Sequence, residues 1–228
     1  MPAATTNGAA ARSWQHPITL VVAATHASLG IGRAGTLPWK LPTDMAFFKH
    51  VTSAPHHHDE DEHDHDLRPN PVVIMGRKSW DSIPARFRPL RDRTNVVLSR
   101  TVTNFGQGVL AFSSLSKALA GLSHQQEQVI YIIGGAQVYE QALSLPQVTR
   151  IFLTVVYDES ESDNKYDTFL PEFRHSGQWV QKSHNQLRAV LAGMRAKQAL
   201  ALVPEQAGHR LRASNGLEYE FTLWERAS

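Results

Sequence analysis

Short apolar runs alternate with amphipathic stretches along most of the chain, and this alternation sets the expected fold. Ile18 to Ala24 (ITLVVAA) is apolar at successive positions and rich in β-branched residues, which predicts a buried strand. Pro71 to Met75, Asn95 to Ser99, Val129 to Ile133 and Arg150 to Val156 read the same way, and Gly108 to Phe112 more weakly. Helical patterns lie between them. Pro42-Thr43-Asp44 opens one, with proline in the first turn and an early acid, and Met45, Phe48 and Val51 suggest its apolar face. Residues 76–80 turn from strand into a short helix. Ser113 to Leu122 form a helix capped by Ser113 or Ser114, and Ala136 to Leu143 form another. This order predicts an α/β fold with a mostly parallel central sheet and flanking helices. Trp179 to Ser183 and Glu218 to Glu225 instead alternate polar with apolar, as antiparallel strands at a sheet edge do. Residues 1–17 read as a disordered tail. Residues 18–228 read as a single domain with insertions at about 53–70 and 188–214.

Composition narrows the function classes. No apolar run approaches the ~18–20 residues a membrane-spanning helix needs. The chain has no cysteine, so disulfides, thiolate catalysis and Cys-ligated metal sites are excluded together. The N-terminus lacks both a secretory apolar core and an Arg-rich amphipathic pattern, so a cytoplasmic location is expected. Residues 56–66 (HHHDEDEHDHD) hold six of the 21 acidic residues and no Lys or Arg, leaving a moderately basic body. A basic body suits small anionic ligands and is too weakly biased to argue for nucleic acid. The His/acid run has metal-binding side chains but no apolar residue to fix a geometry, so a solvated loop and no metal site are expected. Lengthening a loop costs only ~0.6 kcal/mol per doubling. Replacing residues 56–66 by a short Gly/Ser link is therefore expected to leave kcat and Tm nearly unchanged, and a tenfold loss of turnover would place the insert in the site.

Glycine marks the candidate ligand loops. Gly30-Ile31-Gly32-Arg33-Ala34-Gly35 matches G-x-G-x-x-G, but five residues separate it from the preceding strand and Pro38 blocks a following helix. It reads as a flexible loop over a ligand rather than a dinucleotide fingerprint. Ile132-Ile133-Gly134-Gly135-Ala136-Gln137-Val138-Tyr139 is strand, paired glycine, helix. Such a turn serves either close backbone approach to a phosphate at a helix start or a tight connection needing positive φ. Gly76-Arg77-Lys78-Ser79 puts two cations at a helix start, where they suit a bound anion or a solvated loop. Ser99-Arg100 ends another strand, so a nucleotide along the carboxyl edge of the sheet is expected. Asp44, after Leu37-Pro38-Trp39-Lys40-Leu41-Pro42, is either a helix-dipole acid or a carboxylate in an apolar cleft, able to grip two adjacent N–H donors.

Together these residues resemble the dihydrofolate reductase family. The resemblance rests on Ala23-Ala24, Gly30-Ile31-Gly32, Leu37-Pro38-Trp39 with Asp44, Ile74-Met75-Gly76-Arg77, Ser82-Ile83-Pro84, Arg88-Pro89-Leu90, Arg93-x-Asn95 and Leu98-Ser99-Arg100. It continues through Ile133-Gly134-Gly135-x-x-Val138-Tyr139, Leu153-Thr154, Asp167-Thr168-Phe169 and Tyr219-x-Phe221-x-x-Trp224. It runs from about Ile18 to Arg226 and looks fungal around Gly32-Arg33 and Leu37 to Leu41. Asp44 stands where eukaryotic members commonly carry Glu. No thymidylate synthase sequence follows, so the monofunctional form is expected.

The resemblance implies an NADPH-dependent enzyme that reduces 7,8-dihydrofolate to tetrahydrofolate, binds antifolate inhibitors and acts as a monomer. It implies a catalytic group of Asp44, Leu37, Trp39 and Thr154, with Asp44 on the pterin's 2-amino and N3 positions and Thr154 behind it. Val22, Ala23, Met45, Phe48, Ile83, Leu90, Ile133 and Tyr139 would surround the substrate, and Arg93 would fork onto its α-carboxylate. Ala24, Ile31, Gly32 and Leu37 would meet the nicotinamide. A cis peptide would join Gly134 and Gly135. Ala136, Gln137 and Val138, with Gly76, Lys78 and Ser79, would meet the diphosphate. Arg77, Leu98, Ser99 and Arg100 would take the adenosine side and its 2′-phosphate. Two rival readings are a riboflavin-pathway reductase, expected to lack Asp44 and Arg93, and a binding module centred on residues 56–66.

Overall fold

The structure is a computed structural model that describes residues 16–53, 70–122, 128–162, 165–194 and 196–227. Most of the expected N-terminal tail, the first insertion and the His/acid run lie outside the described residues. In chain order the elements are β1 (Ile18–Thr25), β2 (Gly30–Gly32), α1 (Pro42–Ser53), β3 (Val72–Gly76), α2 (Arg77–Ser82), β4 (Thr94–Leu98) and β5 (Val109–Phe112). There follow α3 (Leu115–Leu122), β6 (Ile130–Ile132), α4 (Ala136–Leu143), β7 (Val148–Tyr157), β8 (Thr168–Phe169), β9 (Trp179–Gln181), α5 (His184–Gly193), α6 (Lys197–Leu202), β10 (Leu211–Arg212) and β11 (Glu218–Arg226).

Nine of the described strands form one sheet in the order β10-β11-β7-β1-β6-β3-β4-β5, with β9 also on β11. From β7 to β5 every pairing is parallel. The C-terminal strands β9, β10 and β11 join antiparallel, as their alternating pattern requires. The parallel strands are apolar throughout because each feeds two cores. Ile18, Leu20, Val72 and Ile74 face one, with α3 and α4 over them. Val21, Val73 and Met75 face the other, under α1, α2, α5 and α6.

Two expectations need correction, the face of α1 and the glycine loop, and the α3 cap and the 188–214 region gain their detail. Phe47 and Val51 form the core face of α1, with Phe47 stacked on Phe221 at 4.1 Å between centroids, while Met45 is 51% exposed. At about 100° per residue, positions 45 and 51 lie ~120° apart, so the three-residue stripe drifts around the helix. The cap of α3 resolves to Ser114, whose hydroxyl accepts from Lys117 N at 3.2 Å. The insertion at about 188–214 holds most of α5 and all of α6 and β10, with Leu191, Met194, Ala199 and Val203 buried. The signal was present: Ser183 and Gln186 form a reciprocal capping box ahead of Leu187, Val190, Leu191 and Met194 at helical spacing. The glycine loop 30–32 is not a bare loop, because it pairs with β8 as a two-stranded sheet.

Candidate active site

A cleft of about 2140 Å³ runs along the carboxyl ends of the parallel strands, where α/β sheets bind ligands. β1 contributes Val21, Val22 and Ala23, β3 Met75 and Gly76, and β4 Leu98, while α1, α2 and α4 supply the walls. Every expected site residue lines it except Ala24, which is fully buried inside the sheet. Ala24 points to the same side as Leu20 and Val22, and its side chain packs into the core on that face.

Asp44 sits in the first turn of α1, at the cleft floor. The Thr154 hydroxyl on β7 donates to Asp44 Oδ1 at 2.6 Å. Desolvation pushes the Asp44 carboxyl up to about 6, and the Thr154 bond opposes that rise. Asp92 is the other acid lining the cleft among the described residues, and it is exposed. Tyr139 is buried close by and donates to the Val21 carbonyl at 2.9 Å. Burial, and then the Asp44 charge, keep its phenol protonated by raising its pKa. Leu37 is exposed at the mouth and Trp39 is buried beside Asp44.

The raised Asp44 pKa has a stability consequence. The folded chain holds that proton more tightly than the unfolded chain, so stability falls as pH climbs from about 4 to about 6. Above that window, keeping the carboxylate ionised costs the fold about 1–3 kcal/mol. Asp44→Asn is expected to raise urea-unfolding stability by about that much at pH 7.5 and to change it little at pH 4. The same change at both pH values would contradict this environment for Asp44.

At one end of the cleft, Arg93 is buried and bonded to neutral acceptors. Its Nη1 donates to Thr52 Oγ1 at 2.9 Å and its Nε to the Arg91 carbonyl at 2.8 Å. Desolvation lowers its pKa, against the Asp92 charge. Its guanidinium lies 6.0 Å from the Phe48 ring centroid. The loop before it is fixed by buried Asn95, which donates to the Leu90 and Arg93 carbonyls at 2.8 and 3.0 Å and accepts from Leu90 N at 3.0 Å. Arg88-Pro89 in that loop is cis. Thr52 and the structural role of Asn95 escape a reading of the sequence. Thr52 looks like an ordinary helix residue, and its partner lies 41 positions away.

At the other end, the Gly134-Gly135 peptide is cis, as expected, and Gly134 has φ +117°. Gly76 N donates to the Gly134 carbonyl at 2.7 Å, which ties the two strand ends together. A Cβ on Gly135 would lie 3.1 Å from Ser79 Oγ, and one on Gly76 3.2 Å from Val138 Cγ2. The turn is therefore tight, with Gly134 at positive φ, and its backbone borders the cleft. Arg77 Nη1 donates to Thr101 Oγ1 at 3.2 Å and pairs loosely with Asp81 at 3.8 Å. Lys78 and Arg100 are exposed along the same rim. Ser99 Oγ accepts from Val102 N at 2.9 Å, shaping the turn that presents Arg100. Met75, Ser113, Ser114 and Gln141 also line the cleft. Ser113 and Ser114 read from the sequence only as helix caps, Met75 appears only inside the Ile74-Met75-Gly76-Arg77 motif, and no local motif singles out Gln141.

A long cleft at the carboxyl edge of a mostly parallel sheet, over a paired-glycine turn and with a carboxylate in its floor, defines an α/β protein built around a ligand site. The chain belongs to the dihydrofolate reductase family. The family model described as dihydrofolate reductase matches residues 17–58 and 60–192. The chain is 35% identical to the dihydrofolate reductase of Pneumocystis carinii over 220 residues, covering 93% of this chain and 98% of that one. It is also 35% identical to the Candida albicans dihydrofolate reductase, over 67% of this chain and 75% of the relative. Among solved structures, Schistosoma mansoni dihydrofolate reductase superposes with a TM-score of 0.68 at 27% identity, covering 93% of this chain and 99% of that one.

Proposed function

We propose that this cleft reduces 7,8-dihydrofolate to 5,6,7,8-tetrahydrofolate with NADPH, supplying one-carbon metabolism and thymidylate synthesis. The observation that carries the reading is the Asp44–Thr154 pair, a desolvated carboxylate at the cleft floor, where the other acid lining the cleft among the described residues is exposed Asp92. The cleft volume of about 2140 Å³ is more than twice the ~300–1,000 Å³ of an ordinary small-molecule pocket, which suits two ligands end to end. The cofactor end also fits a dinucleotide. Side chains at Gly76 and Gly135 would crowd Val138 and Ser79, and cations border the rim.

When bound, NADPH supplies the hydride that reaches C6 of the pterin. The chain does the rest. Asp44 accepts from the 2-amino and N3 positions, and Thr154 fixes the carboxylate that does so. N5 lies away from that edge, so Asp44 favours its protonation through water instead of delivering the proton directly. Val22, Ala23, Met45, Phe48, Ile83, Leu90, Ile133 and Tyr139 shape the wall for the ring and benzoyl group. Arg93, steadied by Thr52 and the Arg91 carbonyl, keeps its other N–H donors for the α-carboxylate. Ile31, Gly32, Leu37 and Trp39 exclude water at the nicotinamide end. Gly134 to Val138 with Gly76, Lys78 and Ser79 take the diphosphate. Arg77, Leu98, Ser99 and Arg100 take the adenosine side.

Absorbance at 340 nm tests the reading. NADPH is expected to be consumed on adding dihydrofolate and not on adding a riboflavin-pathway pyrimidine. Consumption with the pyrimidine alone would overturn it.

A further inference from the structure

We infer that Tyr166 is a positioning residue for the reaction, a wedge that holds strand β2 and Trp39 in place as the cleft wall beside Asp44. The inference rests on the function proposed above. Tyr166 does not line the cleft and is 5% exposed. Its ring lies directly under Gly30: a Cβ there would sit 2.6 Å from Tyr166 Cγ and 2.9 Å from Cδ2. Glycine is needed at position 30 because the ring takes the side-chain space. The neighbours Ile31 and Gly32 do line the cleft, so the ring sets how deep that wall lies. On its other side the ring meets Trp39, with centroids 6.0 Å apart and planes tilted by 56°, a favourable aromatic arrangement. Trp39 shares with Asp44, Leu37 and Met45 a side pocket of about 230 Å³.

The phenol is held from below. Its hydroxyl donates to Asp158 Oδ2 at 2.5 Å. The Asp158 side chain is 2% exposed and also takes Lys165 Nζ at 2.6 Å, Ser160 Oγ at 2.8 Å and Ser160 N at 3.1 Å. A buried carboxylate with this many donors stays ionised and fixed, so it gives the phenol one position. The same stretch grips the glycine strand elsewhere. Asp167 N donates to the Gly32 carbonyl at 3.1 Å, and Asp167 Oδ2 accepts from Ala34 N at 2.7 Å. Those are polar clasps at the strand's edge, whereas the Tyr166 ring fills the space beneath it.

The test uses the full chain and three variants: Tyr166→Ala, Gly30→Ala and the double variant. Misplacing a cleft wall by an ångström can slow a reaction by up to ~10²-fold. Tyr166→Ala is expected to slow single-turnover hydride transfer about tenfold or more at saturating ligands. Without ligands, amide exchange at residues 29–34 should accelerate, while Val72–Gly76 keeps its parental protection. Gly30→Ala should be slow in the parent, yet cost less than about twofold more once the ring is gone, because contacting residues do not act additively. Tyr166→Phe, which keeps the ring, should restore most of the rate and protection. If Tyr166→Ala fails to fold, Tyr166→Leu is expected to show the same losses. Parental rate and exchange without the ring, or independent effects of the two substitutions, would overturn the inference. A parent chain that turns over no dihydrofolate would instead refute the functional reading, and the exchange arm would still decide on the wedge.

Discussion

Asp44→Asn is expected to lower hydride transfer at pH 7 by about 10²–10⁴-fold, the usual range for lost acid–base assistance. Asparagine keeps the size and the acceptor for the Thr154 hydroxyl but removes the charge. The lost function is therefore electrostatic, and folding should be intact or improved at that pH. With its pKa near 6, Asp44 is mostly ionised at pH 7, and it is the inner carboxylate of the cleft. Among the described residues the other acid lining the cleft, Asp92, is exposed. The variant's rate should climb again as pH falls, because dihydrofolate already protonated in solution no longer needs a carboxylate to favour that proton. Single-turnover rates of parent and variant across pH 5–8 check both halves. A parental rate at pH 7, or a flat profile from a folded variant, would remove Asp44 from the role given to it.

The double substitution Arg77→Ala, Arg100→Ala is expected to raise KM for NADPH by on the order of 10²-fold while barely moving KM for NADH. The two cofactors differ only in the 2′-phosphate, and each charge-assisted contact to it is worth roughly 1.5–3 kcal/mol. Arg77 is held at 3.2 Å by Thr101 and is only loosely paired with Asp81, and Arg100 is exposed at the end of β4. Neither has to break a strong bond to receive a phosphate. Steady-state kinetics with both cofactors decide the matter. Equal losses with NADPH and NADH would show that the pair supports the rim in general and does not read the phosphate.

What could be read from the sequence follows from how local each signal is. β1 and β3 were legible because both of their faces are buried, which forces uninterrupted apolar runs. β11 was legible because it alternates. β2 and β8 were not, since Gly30–Gly32 and Thr168–Phe169 are too short to show a period and exist through their pairing. The α5–α6 region carries a capping box and a helical stripe that its reading as an insertion leaves unused. Most of the cleft was visible because its residues sit in strand-end motifs, where backbone geometry restricts what fits. Thr52 with Arg93, and Tyr166 with Gly30 and Trp39, depend on contacts between distant segments, which no local pattern reports.

The cofactor and substrate assignments meet in one measurement. The chain would be mixed with dihydrofolate and NADPH carrying deuterium at the transferring C4 position, and the folate product examined for label. The proposed reaction places one deuterium at C6 of tetrahydrofolate for each NADPH oxidised, and none when Asp44→Asn replaces the parent on the same short timescale at pH 7. Oxidation of NADPH without label at C6, or unlabelled dihydrofolate recovered intact from the parent, would contradict the account.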